Sequence, residues 1–425
     1  MRRVRPWLLF LLLAGCASTP LVTLGPDAST DPLQRQLALD AALHPDRATP
    51  GNGVTILRDG RETFPAMFAA LNQATDHIDL EYYIFQDVHI PGTSLGDLLV
   101  RKLAAGVAVN IIMDGFGSRN TDPAFIARLK QAGARVLVYH PLSAAAMLDL
   151  ENPNDRDHRK IMVVDGRVGF VGGVNLDRVY ENPVDPAAAF QGDAKHAFWS
   201  DTDVRIEGPA VADLQRLFID NWTRQGGPAL PARLYFPPLD PAGPEAVRII
   251  GSAPHQDHPR YYVTFLNAVH AARHSVDVGT GFFVPTHEER EELARAARRG
   301  VAVRLVLPSV SSVPEALAAG RAAYGDLLEA GVRIWEIQGV VLHSKFATID
   351  GVWTTVGSSN LDRRSVVFNN EVDAVIFGRQ TAAAARALFD SDTRHSHPVT
   401  LAQWRHRDLK EREAEFMARF WEFLM

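Results

Sequence analysis

One pattern occurs twice in this chain with identical internal spacing. The first copy is His158, Lys160, Asp165, Gly172, Gly173 and Asn175; the second is His343, Lys345, Asp350, Gly357, Ser358 and Asn360. The surroundings repeat as well. Gly106 to Met113 (GVAVNIIM) matches Gly300 to Leu307 (GVAVRLVL), and Ala132 to Val138 matches Ala330 to Glu336. His77 to Glu81 aligns with His274 to Val278. A period near 190 residues is too long for a solenoid, so the reading is a tandem duplication. Within each half, β-rich runs alternate with helical patterns (Phe64 to Ala74, Ser94 to Ala105, Tyr261 to Ala272, Glu289 to Arg298). That order implies an α/β fold with a largely parallel sheet covered by helices.

The motifs carry the chemistry. Asp165-Gly166 and Asp350-Gly351 each sit between two short β-rich runs, the signature of a two-residue hairpin turn. In that register His158 faces Gly173 and His343 faces Ser358. Residues two apart on a strand share a face, so each hairpin gathers an imidazole, an ammonium and an amide. Cleaving a phosphodiester needs a nucleophile, a proton for the leaving alcohol and positive donors on the non-bridging oxygens. Two histidines supply the first two. Lys160, Lys345, Asn175 and Asn360 are the expected oxygen holders, and Ser358 adds a hydroxyl that Gly173 lacks. Catalytic histidines are commonly oriented by carboxylates. Glu371 and Asp201, each downstream of one motif, are the candidates. Asp165 and Asp350 read as turn formers, and Gly172, Gly173 and Gly357 as structural positions of the motif.

These residues resemble the paired motifs of the phospholipase D superfamily, over about Thr55 to Gly378. Within it, Leu80 to Phe85 (LEYYIF), Asp157 to Lys160 (DHRK), Gly331 to Glu336, Leu342 to Lys345 and Val356 to Ser365 are similar to signatures of bacterial cardiolipin synthases. The resemblance implies two phospholipase D-like domains with one active site at their pseudo-twofold interface, and neither metal nor cofactor. It implies a phosphatidyltransferase working through a phosphohistidine, with His158 as nucleophile and His343 as general acid/base. The alternatives are a hydrolase releasing phosphatidic acid, a nuclease, or a non-catalytic membrane scaffold. A net charge of -6 and no basic field argue against nucleic acid; intact motifs argue against the scaffold. Glu81, Arg156, Arg159 and Arg363, beside the motifs with Arg364, are candidate substrate-binding residues. His77, His140 and His274, without a motif around them, read as structural.

The chain opens with a basic run, Arg2, Arg3 and Arg5, then an apolar stretch from Trp7 to Ala14. That stretch is too short to cross a bilayer. Leu13 to Cys16 (LAGC) resembles the bacterial lipobox, which implies cleavage before Cys16 and lipidation of the sole cysteine. With Ala17 following, the resemblance favours the periplasmic face of the outer membrane. The expected partners are phospholipids and the bacterial membrane; protein partners are not legible. The expected organisation is a signal peptide (1–15), a lipidated cysteine and tether (16–53) with one short helix near Leu33 to Leu43, two domains (54–235 and 236–399), and an amphipathic carboxyl-terminal helix (400–425). The insertion between His140 and His158, with Met147, Leu148 and Leu150, is a candidate part of the substrate mouth.

Overall fold

The computed structural model describes residues 19–25, 29–142, 154–181, 198–256 and 259–407. Cys16, Met147, Leu148, Leu150 and the carboxyl-terminal residues from 408 onward lie outside them. Fifteen strands form one continuous path. In chain order they are β1 (Thr49–Arg58), β2 (His77–Tyr82), β3 (Ala108–Asp114), β4 (Arg135–Tyr139), β5 (Lys160–Val164), β6 (Val168–Gly172) and β7 (Thr202–Glu207). Then follow β8 (Glu245–Ser252), β9 (Ser275–Thr280), β10 (Ala302–Pro308), β11 (Arg333–Ile337), β12 (Lys345–Ile349), β13 (Trp353–Gly357), β14 (Asn369–Phe377) and β15 (Ser396–Val399).

Across the sheet the order is β15-β11-β10-β9-β12-β13-β14-β8-β1-β7-β6-β5-β2-β3-β4. Read outward from the β8–β1 pair, both halves give the same sequence of strands, and β15 is an extra edge. The duplication is therefore visible as a pseudo-twofold whose axis falls between β1 and β8, which run antiparallel. The expected largely parallel sheet needs correction. Along this path only β2-β3-β4 and β9-β10-β11 are parallel. The strands nearer the centre pair antiparallel. Helical crossovers return a strand in the same direction, whereas hairpins reverse it. Apolar patterning fixes burial but not direction.

Helices cover the sheet. The helix Leu95–Ala104 begins at Ser94, whose hydroxyl accepts from Asp97 N–H, and buries Leu95, Leu98 and Leu99. Each such leucine contributes about 1.5–3 kcal/mol of burial. Its counterpart His287–Arg298 starts with a capping box of Thr286 and Glu289. The segment expected to be a tether is docked instead. Pro32–Leu43 is a helix whose Leu33 and Leu37 pack on the second half's core. Its Asp40 takes Arg248 in two bonds of 2.6 and 2.7 Å, and β1 starts inside the same segment.

The motif hairpins show what the repeated aspartates do. Asp165 and Gly166 have φ of 54° and 62°, Asp350 and Gly351 of 51° and 64°, as a type I′ turn requires. Each carboxylate then reaches sideways. Asp165 accepts from Thr75, Asp76 and His77 N–H, and Asp350 from Arg273, His274 and Ser275 N–H. So each clips its hairpin to the start of β2 or β9. The hydrogen bonds hold Asp165 below the usual carboxylate range against the opposing pull of burial. The register is one residue off the expected one. Val164 pairs with Val168 and Ile349 with Trp353, leaving Arg167 and Val352 as extra residues.

Candidate active site

His158 and His343 stand just before β5 and β12, outside the hairpin ladders. Their backbone partners come from the opposite half of the chain. His158 N–H donates to Asn370 O and His343 N–H to Ser200 O. Short parallel pairs flank these bonds: Arg156–Asp157 with Asn369 and Asn370, and Phe198–Ser200 with Val340–Leu342. The expected facing of His158 on Gly173 and His343 on Ser358 is replaced by this crossing. Gly173 and Ser358 N–H instead donate to Thr202 O and Val372 O, on the strands beyond.

The side chains cross as well. His158 Nδ1 lies 3.0 and 3.1 Å from the Glu371 carboxylate. His343 Nδ1 lies 2.7 Å from Asp201 Oδ2. Each imidazole is thus held by an acid of the other half. A carboxylate on Nδ1 fixes that nitrogen as the donor and leaves Nε2 with its lone pair. Both rings line one cavity of about 410 Å³ with Asn175 and Asn360. Burial pushes His158 down to about 4 despite Glu371, and Lys160 and Lys345 add to the depression. Burial and Lys345 push His343 to about 3 despite Asp201. Both imidazoles are therefore neutral before an anion binds.

The two carboxylates are braced differently. Ser358 Oγ donates to Glu371 Oε2 at 2.5 Å and Asn369 Nδ2 to Oε1 at 3.0 Å. At Asp201 no serine fits, because a Cβ on Gly173 would stand 2.0 Å from Asp201 Oδ1. Tyr180, fully buried, supplies the hydroxyl from elsewhere: its OH is 3.0 Å from both Asp201 Oδ2 and His343 Nδ1. A shorter acid with a longer donor thus replaces a longer acid with a shorter one. The glycines one position earlier, Gly172 and Gly357, leave room for Asp203 and Asp373, whose oxygens a Cβ would meet at 2.0 and 2.1 Å. These two acids accept from Val174 N–H and Ser359 N–H and shape the turn towards each motif asparagine. Burial pushes Asp373 up to about 8 and holds Asp203 well above the usual carboxylate range.

A model of the "Cardiolipin synthase, PLD-like domain" family matches residues 67–182 and 265–393, one segment in each half. The chain belongs to this family. A cardiolipin synthase of Geobacillus thermodenitrificans is 34% identical over 367 residues, 86% of this chain and 70% of that one. One from Halalkalibacterium halodurans is 32% identical over 357 residues, 83% of this chain and 68% of that one. Among solved structures, a phosphatidylserine synthase of Haemophilus influenzae superposes with a TM-score of 0.59 at 12% identity, covering 87% of this chain and 93% of that one. At that identity the likeness speaks for the shared fold alone.

Lys160 and Lys345 are buried behind their histidines, with Nζ donating to His158 O at 2.5 Å and to His343 O. Burial lowers them to about 7 and about 8. Asn175 Oδ1 accepts from Ile84 N–H. Glu81 and Arg159 are corrections, because neither reaches the cavity. Arg159, 1% exposed, donates to Glu371 O and Ser252 O and lies 3.4 Å from Glu81. Glu81 also accepts from Asn221 at 2.9 Å. A guanidinium sealed in the interior steadies the Glu371 backbone rather than meeting lipid. Arg363 is half-buried off the cavity wall, where Arg364 stands instead; Arg156 does line it. Sequence reasoning missed Tyr180, Asp203 and Asp373. The acids had a signal, since Asp201-Thr202-Asp203 and Glu371-Val372-Asp373 share their spacing. Tyr180 had none, because its motif counterpart is Ser365.

Proposed function

We propose that the chain is a phosphatidyltransferase that makes cardiolipin-type lipid from phosphatidylglycerol through a phosphatidyl-histidine. The observation that carries the reading is the pair of imidazoles on one cavity, each fixed at Nδ1 by a carboxylate of the opposite half. The names of the relatives supply the lipid class. His158 Nε2 attacks phosphorus; the bond from phosphorus to the head-group oxygen breaks, and its electron pair leaves with that oxygen. His343, which takes up a proton once the phosphodiester is bound, hands that proton to the alkoxide. In the second half-reaction His343 removes the proton of the incoming hydroxyl. The oxygen attacks phosphorus and the P–N bond breaks, returning its electrons to His158. Asn175 and Asn360, on the cavity wall, meet the non-bridging oxygens, while Lys160 and Lys345, held behind the histidines on their carbonyls, supply positive charge from below the wall rather than the direct contact the sequence suggested.

Purified protein in phosphatidylglycerol vesicles is expected to form cardiolipin with ping-pong kinetics. Full activity in His158→Ala would refute the covalent route. Phosphatidic acid as the only product would make the chain a hydrolase. No helix among the described residues is long and apolar enough to cross a membrane. For attachment we propose the lipid-modified Cys16 at the periplasmic face of the outer membrane. Cys16→Ser is expected to move the protein from the membrane to the soluble fraction of cells.

A further inference from the structure

The pseudo-twofold that duplicates the chemistry does not duplicate the cavity wall. Among the described residues three guanidiniums line it, those of Arg119, Arg156 and Arg364, against a single carboxylate, Asp362. That carboxylate is already engaged by Ser365 N–H at 2.7 Å. The guanidiniums converge on one end. Arg119 and Arg156 lie 4.3 and 5.5 Å from the ring of Phe116. All three act electrostatically on the Tyr83 phenol. The Tyr83 ring stands edge-on to His158 at 5.1 Å, so the cationic wall begins one ring away from a reacting imidazole.

The other end has the opposite character. His343 meets Trp199 at 5.0 Å and Phe282 at 6.1 Å, and Val284, Val313 and Ala316 continue that wall. The duplication makes the contrast sharp. Arg156 stands two residues before its histidine, where the second copy has Val341. Arg364 stands four residues after its motif asparagine, where the first copy has Val179. Counted forward from the matched strands β3 and β10, Arg119 falls where Val313 stands. Three positions that are valine in the other copy thus carry the arginines of one end, while Val313, Val284 and Ala316 keep the other end apolar.

A lone phosphodiester at the histidines gives no use for a second cationic wall, since the motif asparagines stand beside both imidazoles and the motif lysines lie just behind them. We infer that Arg119, Arg156 and Arg364 form a second phosphodiester subsite, which holds the phosphate that an acceptor lipid brings with it. The inference rests on the transferase reading above. A phosphatidylglycerol acceptor carries its phosphate one glycerol away from the hydroxyl that attacks. It can lay that phosphate on the arginine wall while presenting the hydroxyl to phosphorus. Guanidinium forks suit such an oxyanion better than ammonium does. Water, glycerol and simple alcohols gain nothing from the wall. The subsite therefore selects the acceptor and separates synthesis from hydrolysis.

The test uses full-length protein with Arg119→Gln, Arg364→Gln and the double variant. Arg119 is exposed and Arg364 half-buried, so the fold should survive, and a thermal melt checks that it does. Three products are followed from the same phosphatidylglycerol vesicles: cardiolipin, phosphatidic acid, and the phosphatidyl ester of added ethanol. Cardiolipin formation should fall at least tenfold in each single variant and further in the double, about the worth of a charge-assisted hydrogen bond. Hydrolysis and transfer to ethanol should stay within about threefold, so product ratios shift towards phosphatidic acid. Equal loss of all three products would assign the arginines to the donor and overturn the subsite, as would unchanged cardiolipin formation. Wild-type protein that forms phosphatidic acid but no cardiolipin would instead overturn the transferase reading on which the subsite depends.

Discussion

Tyr180→Phe removes one oxygen from the site and leaves the ring in place. That oxygen is 3.0 Å from Asp201 Oδ2 and 3.0 Å from His343 Nδ1. The ring keeps its edge contact with Trp199 at 5.8 Å. A buried hydrogen bond to an ionised group is worth about 1.5–3 kcal/mol. If that stabilisation is felt in the transition state, kcat falls about tenfold to a hundredfold. KM should hold, since Tyr180 is not on the cavity wall. The pH profile carries a signature that a merely structural role would not. The phenol donates to the Asp201 carboxylate and spreads its charge. Without it, Asp201 is a stronger acceptor for Nδ1–H and favours the imidazolium of His343. The limb of the kcat profile set by His343 should then move to higher pH. The assay is cardiolipin formation in vesicles from pH 5 to 9, beside a melting curve. A folded variant with kcat within twofold of wild type and an unmoved limb would refute the role of the phenol.

Two further outcomes follow from the same geometry. Gly173→Ser, which makes the first motif match the second, should harm rather than help. Its Cβ meets Asp201 Oδ1 at 2.0 Å, and Asp201 is pinned by His343, Tyr180 and Thr202 N–H. Such overpacking costs about 1–3 kcal/mol, read by denaturant unfolding, and activity should fall with it; an active variant of unchanged stability would contradict the packing argument. The buried lysines predict proton uptake. Burial lowers Lys160 to about 7 and Lys345 to about 8 in the free protein, and a bound anion restores their charge. Tungstate binding at pH 8 should take up about one proton or more, and its affinity should fall as pH rises through 7 to 8. Titration calorimetry in buffers of different ionisation heat measures this; an enthalpy independent of buffer would count against it.

Much of the fold was legible because the duplicated text is long and its spacing is strict. The helices starting at Pro32, Leu95, Arg260 and His287 lie within two residues of their expected starts, and the one over Asp59–Gln73 begins five residues before its expected start at Phe64. What escaped was non-local. The register slipped because an Asp-Gly turn signals its own φ values and not the extra Arg167 or Val352 behind it. Arg159 read as a substrate-binding cation because charge in sequence carries no depth; only the carbonyls of Glu371 and Ser252 explain why it is interior. Glu371 and Asp201 were visible as acids after each motif, but proximity in the chain hid that each serves the other histidine. Tyr180 escaped because it answers an absence at Gly173, and an absence leaves no residue to notice.

The crossed acids have a consequence for how the protein comes into being. His158 waits for a carboxylate 213 residues further on, and His343 for one 142 residues behind it. A chain in which only the first half has folded therefore has its first imidazole without the group that sets its tautomer, however well the opening strands have formed. Docking of the late strands against the early ones at the β1–β8 seam is the event that switches on the chemistry. Neither half alone therefore carries an oriented imidazole, and the lipid chemistry exists only where the two halves are joined.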